Sequence, residues 1–164
     1  MSDQVSGSGD VMIDEEDDIV ANKYLLSKIG NELYGIDIRF VTDIIEMQKI
    51  TEVPDMEEYV RGVINLRGQV IPVIDLRLRF GMTFREYDDR TCVIIVNVGE
   101  SSIGFIVDTV SEVIDIPDGS IDPPPDYKSE GGTSRRFVSG LGKVGDSVKL
   151  LLDVEAIVSH TTST

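Results

Sequence analysis

From Tyr24 onward, apolar positions recur in short runs of five to seven residues separated by turn signals. Tyr24 to Ile29 is one such run, and Gly30-Asn31 closes it. Tyr34-Gly35-Ile36-Asp37-Ile38 alternates with the period of a half-buried strand and carries on through Val41, Ile44 and Ile45. Val53-Pro54-Asp55 breaks the pattern. Gly62 to Leu66 and Val70 to Ile74 flank Arg67-Gly68 and predict a hairpin. Pro72 has no N–H to give a ladder, which places it at an edge or a bulge. Asp75 to Gly81 predicts a short helix with an aspartate cap and a terminal glycine. Cys92 to Val98 opens a second series of strands.

The second series repeats the first. Shifted by 69 positions, Gly30 falls on Gly99, Gly35 on Gly104, Val41 on Val110, Asp43 on Glu112 and Ile44 on Val113. Shifted by 78, Gly62 falls on Gly140, Val70 on Val148 and Asp75 on Asp153. The nine extra residues fall around Asp122 to Lys128, in a loop, where insertion is tolerated. Asp75 and Asp153 each precede an apolar-periodic segment and are expected N-caps. Each copy reads strand, turn, strand, long loop, hairpin, short helix. That pattern predicts an all-β protein of two small tandem barrels. The expected boundaries are 19–87 and 88–160, between an acidic tail over 1–18 and a short tail over 161–164.

Charge refines the picture. The 164-residue chain carries 30 acids against 15 bases, a formal charge of -15. Seven of the acids lie in the first 18 residues, which contain no Lys or Arg, so that segment is expected to stay disordered. Long-range repulsion argues against nucleic acid or an anionic membrane as the main partner. The single cysteine, Cys92, excludes an internal disulfide and a Cys-cluster zinc site. Without an apolar run of membrane-spanning length or a secretory pattern, the expected setting is cytoplasmic.

Catalytic signatures are missing. There is no nucleophile elbow, Walker loop, dinucleotide fingerprint or zincin helix, and the one histidine, His160, lies near the C-terminus. Asp37 and Asp108 are expected to face solvent or to pair with bases across a strand. A binding or scaffolding module with no cofactor and no metal is therefore expected. Arg67 stands out, because the repeat puts Gly145 in its place in the second copy. Its guanidinium can pair with Asp43 and stiffen the hairpin, or face a partner surface, where arginine is enriched.

These segments carry a specific resemblance. Tyr34-Gly35-Ile36-Asp37-Ile38, the hairpin Gly62-Val63-Ile64-Asn65-Leu66-Arg67-Gly68 with Ile71-Pro72-Val73-Ile74-Asp75, and Gly104-Phe105-Ile106-Val107-Asp108 resemble the CheW family of chemotaxis coupling proteins. The likeness runs from about Asn22 to Ser159. It implies two SH3-like five-stranded barrels. The implied role is a non-catalytic bridge between the cytoplasmic tip of a chemoreceptor and the regulatory domain of the histidine kinase CheA, monomeric alone and recruited to membrane-associated arrays without membrane insertion. The implied receptor groove is formed by Val41, Asp43, Ile44, Gly62, Arg67, Val110 and Val113. The implied kinase surface is Ile50, Thr51, Val53, Gly68 and Gln69. Two alternatives stay open: an adaptor for another histidine-kinase pathway, and, remotely, an enzyme with a carboxylate cleft.

Overall fold

The computed structural model describes residues 21–124 and 136–159. The expected tails and much of the inserted loop lie outside the described residues. The strands are β1 (Lys23–Ile29), β2 (Glu32–Asp37), β3 (Val41–Glu46), β4 (Val60–Leu66), β5 (Gln69–Asp75), β6 (Cys92–Val98), β7 (Ser101–Val107), β8 (Thr109–Asp115), β9 (Ile121–Asp122), β10 (Val138–Val144) and β11 (Ser147–Leu152). Short helices α1 (Leu76–Arg79) and α2 (Val154–Val158) follow β5 and β11. Asp75 and Asp153 cap them, accepting from the amides of Leu78 and Ala156.

Two sheets form, ordered β3-β6-β7-β5-β4 and β8-β1-β2-β11-β10-β9. Each curls into a small SH3-like barrel; the second gains a sixth strand, β9, of two residues. The barrels are not the consecutive segments 19–87 and 88–160. β1 and β2, from the first repeat copy, pair with β8 and β11 of the second. β6 and β7, from the second copy, pair with β3 and β5 of the first. Each barrel thus takes the opening hairpin of one copy and the remaining strands of the other. The exchange is symmetric: parallel Val73↔Gly104 matches Leu151↔Gly35 under the repeat. Both glycines are needed for close approach. A Cβ at Gly104 would lie 2.9 Å from Val73 Cγ1, and one at Gly35 would lie 2.8 Å from Leu151 Cδ2.

The strand expected to run from Tyr34 through Ile45 is two strands. A 3₁₀ turn over Ile38–Phe40 interrupts it, and the chain changes sheets there. Asp37 drives the turn by accepting from the Arg39 amide at 2.9 Å. Pro72 is also placed differently from expectation, on β5 inside its sheet. Its partner Val63 turns its amide away from β5 to Thr51, so Pro72 sits at a position that donates nothing to β4. The β5–β7 pairing begins only at Val73.

β6 explains how the barrels join. Val93 and Ile95 point into the first barrel, with Ile64, Ile71, Val73 and Ile106. Ile94 and Val96 point the other way, into a larger cluster that also takes Leu25, Ile36, Phe105, Leu152 and Ile157. A strand buried on both faces reads as a continuous apolar run rather than an alternation. The shared seam draws side chains from both sheets, so the two barrels are one packing unit.

Candidate functional site

The implied groove residues sit on the outer strands of the two sheets. β3 is one edge of the five-stranded sheet and β8 one edge of the other. Each carries a bulge at the same repeat position. The register slips between Val41 and Asp43 against β6, and between Val110 and Val113 where β8 meets Leu25 and Ser27. A bulge twists an edge and re-aims side chains. Beyond it, Ile44 and Val113 emerge with relative exposures of 41% and 47%. Val41 and Val110 are half-buried and pack against the seam cluster. The four aliphatics thus divide into two anchored at the core and two offered to solvent.

Arg67 and Asp43 meet. Arg67 Nη1 lies 3.0 Å from Asp43 Oδ2, and Asp43 Oδ1 accepts the Ile44 amide at 2.9 Å. The turn that holds Arg67 has positive φ at both central residues, 53° at Arg67 and 87° at Gly68, as a two-residue hairpin turn requires. Asn65 Oδ1 fixes it by accepting the Gly68 amide at 2.9 Å. Glu112, the counterpart of Asp43, is exposed.

Gly62 stands apart from this group. It is buried, with φ 143°, directly beneath the Thr51 carbonyl. Thr51 and Val63 exchange two backbone hydrogen bonds of 2.8 and 2.9 Å, which pin Ile50-Thr51 across β4. A Cβ on Gly62 would run into Thr51 and lie 2.8 Å from Ile50 Cγ2. Gly62 therefore presents no groove surface; it seats the Ile50-Thr51 segment. The implied kinase residues also divide. Thr51 bridges Val63 of β4, and Ile50 and exposed Val53 on either side of it line a cavity of about 300 Å³ with Met56, Arg61 and Tyr87. Gly68 and Gln69 lie at the hairpin tip, next to Arg67, roughly 13 Å along the strand from Val63 by strand rise.

Several contacts were not legible as a site. Asp108, half-buried, binds Arg77 through Nε and Nη2 at 2.8 and 2.9 Å and accepts the Gly30 amide at 2.9 Å. Burial opposes its charge, but those donors and the nearby Arg85 outweigh it and hold the carboxyl below its ordinary range. Asp37 pairs with Arg39 at 2.7 Å. Asp75, only 2% exposed, accepts the Tyr87 hydroxyl at 2.7 Å. Burial and that hydrogen bond push the Tyr87 phenol well above its ordinary value, so it stays protonated. Arg79 is buried between Tyr59 and Phe137 and donates to the Ile157 carbonyl at 2.9 Å, tying α1 to α2. The repeat does hold a trace of the Asp108 pair: its counterparts are Arg39 and Glu155, the same charges reversed.

Residues 23–162 match the CheW-like domain. The chain belongs to the CheW-like domain family. It is 36% identical over 140 residues to the chemotaxis protein CheW of Klebsiella aerogenes, a match covering 85% of this chain and 83% of the relative. The CheW of Helicobacter pylori is 34% identical, with 88% and 86% covered. Among solved structures, the scaffolding protein TtCheW of Thermoanaerobacter tengcongensis superposes with a TM-score of 0.77 at 37% identity, covering 84% of this chain and 92% of that one. The family places the chain among chemotaxis scaffold and adaptor proteins. No helix among the described residues is long and apolar enough to cross a membrane.

Proposed function

We propose that this protein is a non-catalytic cytoplasmic adaptor that couples the cytoplasmic tips of chemoreceptors to the regulatory domain of the histidine kinase CheA. The observation that carries this reading is the matched aliphatic pair Ile44 and Val113, exposed on the edge strands β3 and β8, with the Arg67–Asp43 ion pair next to Ile44. Receptor tips are helical, and a helix docks by laying apolar anchors into such a surface. Val41 and Val110 supply the floor. The Arg67 turn stands at the rim, where a charge sets orientation more than affinity.

The kinase surface in this reading centres on Ile50, Thr51 and Val53, with Gly68 and Gln69 extending it along the hairpin. The β4–β5 hairpin then connects both surfaces as one rigid element. Receptor and kinase are held in fixed geometry, modest affinities suffice because tethering raises effective concentration, and receptor state shifts the kinase's active population through differential contacts. The deciding experiment mixes the chain with a soluble receptor-tip fragment and the CheA regulatory domain and follows sedimentation. A ternary complex is expected. Failure to bind either component removes the reading.

A further inference from the structure

The repeat makes the two barrels comparable position by position, and one comparison is unequal. In the first barrel, the space above Asp75 at the start of α1 is filled by the segment that follows that helix. Tyr87 reaches in and donates to Asp75 Oδ2 at 2.7 Å, Phe84 packs edge-on against its ring at 5.4 Å, and Arg85 lies 3.4 Å from Asp108. A cavity of only about 10 Å³ is left between them. In the second barrel, the same place above Asp153 is, among the described residues, an open concavity of about 230 Å³. Tyr24, Phe40 and Leu152 give it aromatic and apolar walls, and three carboxylates, Asp37, Asp153 and Glu155, also line it, Asp37 paired with Arg39 at 2.7 Å. Among the described residues, none after Glu155 lines it.

The chemistry of the open site follows from its filled counterpart. Asp153 Oδ1 caps α2, as Asp75 Oδ1 caps α1. Its Oδ2, counterpart of the oxygen that takes the Tyr87 hydroxyl, has no hydrogen-bond partner among the described residues. Glu155 stands where the first barrel has Arg77 and has no ion pair among the described residues, since Arg39 turns to Asp37. Among the described residues the concavity therefore offers aromatic walls, one carboxylate oxygen without a hydrogen-bond partner, and two carboxylates, Asp153 and Glu155, without an ion pair, beside the Asp37–Arg39 pair.

We propose that this concavity docks a segment of a partner protein that presents an aromatic side chain, tyrosine above all, flanked by lysine or arginine. The first barrel's own filler, Phe84-Arg85-Glu86-Tyr87, is the template for the aromatic residues only; Arg85 pairs with Asp108, whose counterpart is Arg39, so the bases of the partner segment are set by Asp153 and Glu155. The acidic N-terminal segment is excluded as occupant by like charge. The proposal does not depend on the receptor groove or the kinase surface, which lie on other strands.

The test titrates the ¹⁵N-labelled full chain with the peptide acetyl-Phe-Arg-Lys-Tyr-amide and, separately, with acetyl-Ala-Arg-Lys-Ala-amide, which has the same charge. Amide shifts confined to Tyr24, Phe40 and the residues 152–155 are expected with the first peptide, with the alanine peptide at least about tenfold weaker, since the aromatic and its hydroxyl bond to a carboxylate supply the difference. Glu155→Arg, an exposed helix position, is expected to weaken the aromatic peptide by about tenfold while leaving the spectrum of the free chain folded. Equal shifts from both peptides spread over the acidic surface would mean ordinary counterion binding and overturn the proposal. So would the absence of shifts at Phe40 and residues 152–155, or an unchanged affinity in Glu155→Arg.

Discussion

Arg67 and Asp43 connect the two edge strands of the five-stranded barrel. Asp43 is on β3, one edge of the sheet, and Arg67 is in the turn that ends β4, the other edge, with 3.0 Å between their charged atoms. The side chains are 73% and 29% exposed, so solvent screens the pair. Its contribution is in the range of about 0.2–1 kcal/mol for exposed pairs. Arg67→Ala and Asp43→Ala are each expected to destabilise by that much and to be less than additive together, because both remove one interaction. Arg67→Gly is expected to be closer to neutral, since the left-handed backbone at Arg67 costs a non-glycine residue roughly 1 kcal/mol. Urea unfolding of the four variants reads both effects. Full additivity would show that the two residues act separately.

The solvent-facing and core-anchored aliphatics should separate under the same substitution. Ile44→Glu and Val113→Glu place their charge in water and are expected to hold stability within about 0.5 kcal/mol. Receptor-tip binding should be lost while binding to the CheA regulatory domain is kept, if the proposed function holds. Val110→Glu drives a charge toward the seam cluster and should melt earlier. Thermal unfolding with two separate binding titrations distinguishes the two classes. Normal melting of Val110→Glu would contradict its place against the seam.

Gly62→Ala should loosen Ile50-Thr51 from β4. The added methyl collides with the Thr51 carbonyl, and the positive φ adds strain, for a cost on the order of 1–3 kcal/mol. Faster hydrogen exchange at the Thr51 and Val63 amides is the specific signature, because those two amides make the bonds across Gly62. Unchanged protection there would show that the segment is held by something else.

Asp108 ties stability to acid pH. Its folded carboxyl titrates below the ordinary aspartate value, so its contribution is present above that value and is lost as pH falls through the folded one. At pH 7, Asp108→Asn should cost about 1–3 kcal/mol, because Arg77 loses its charged partner and keeps only part of its hydrogen bonding. Below about pH 4 the difference between wild type and variant should shrink, as wild-type Asp108 takes up its proton. Urea midpoints measured across that window check the sign; a gap that widens toward acid would refute it.

Ser27 is fully buried, and its hydroxyl has no hydrogen-bond partner among the described residues. The repeat places apolar Val96 at the same ladder position in the other barrel. Ser27→Ala removes an unsatisfied polar atom with little change of volume. It is expected to leave stability unchanged or raise it by up to about 1–3 kcal/mol, against the usual loss for a core substitution. A clear drop in the urea midpoint would mean that the hydroxyl is satisfied in solution.

Much of this protein is written locally. Alternation over Tyr34–Asp37, the Arg67-Gly68 turn and the Asp75 and Asp153 caps all follow from what single residues do to the backbone within a few positions, and the strands, turn and helices stand where those signals put them. The repeat by itself makes Ile44 and Val113 counterparts. Pairing is a different kind of fact. The alternation of a strand says which side chains share a face, not which strand lies beside it. The two copies offer matched edges, so β2 satisfies its pattern equally well against its own copy or the other. Tertiary packing decided for exchange: the turn at Ile38–Phe40 carries the chain into the other sheet, and the glycines at 35 and 104 admit the close parallel contacts that lock it there. The same packing decided that Val41 and Val110 rest against the seam cluster while Ile44 and Val113 face solvent, that Gly62 lies under Thr51, and that Tyr87 covers Asp75 while the place above Asp153 stays open among the described residues. Each of these depends on which segments meet across long stretches of chain, and a periodicity of two carries no record of that.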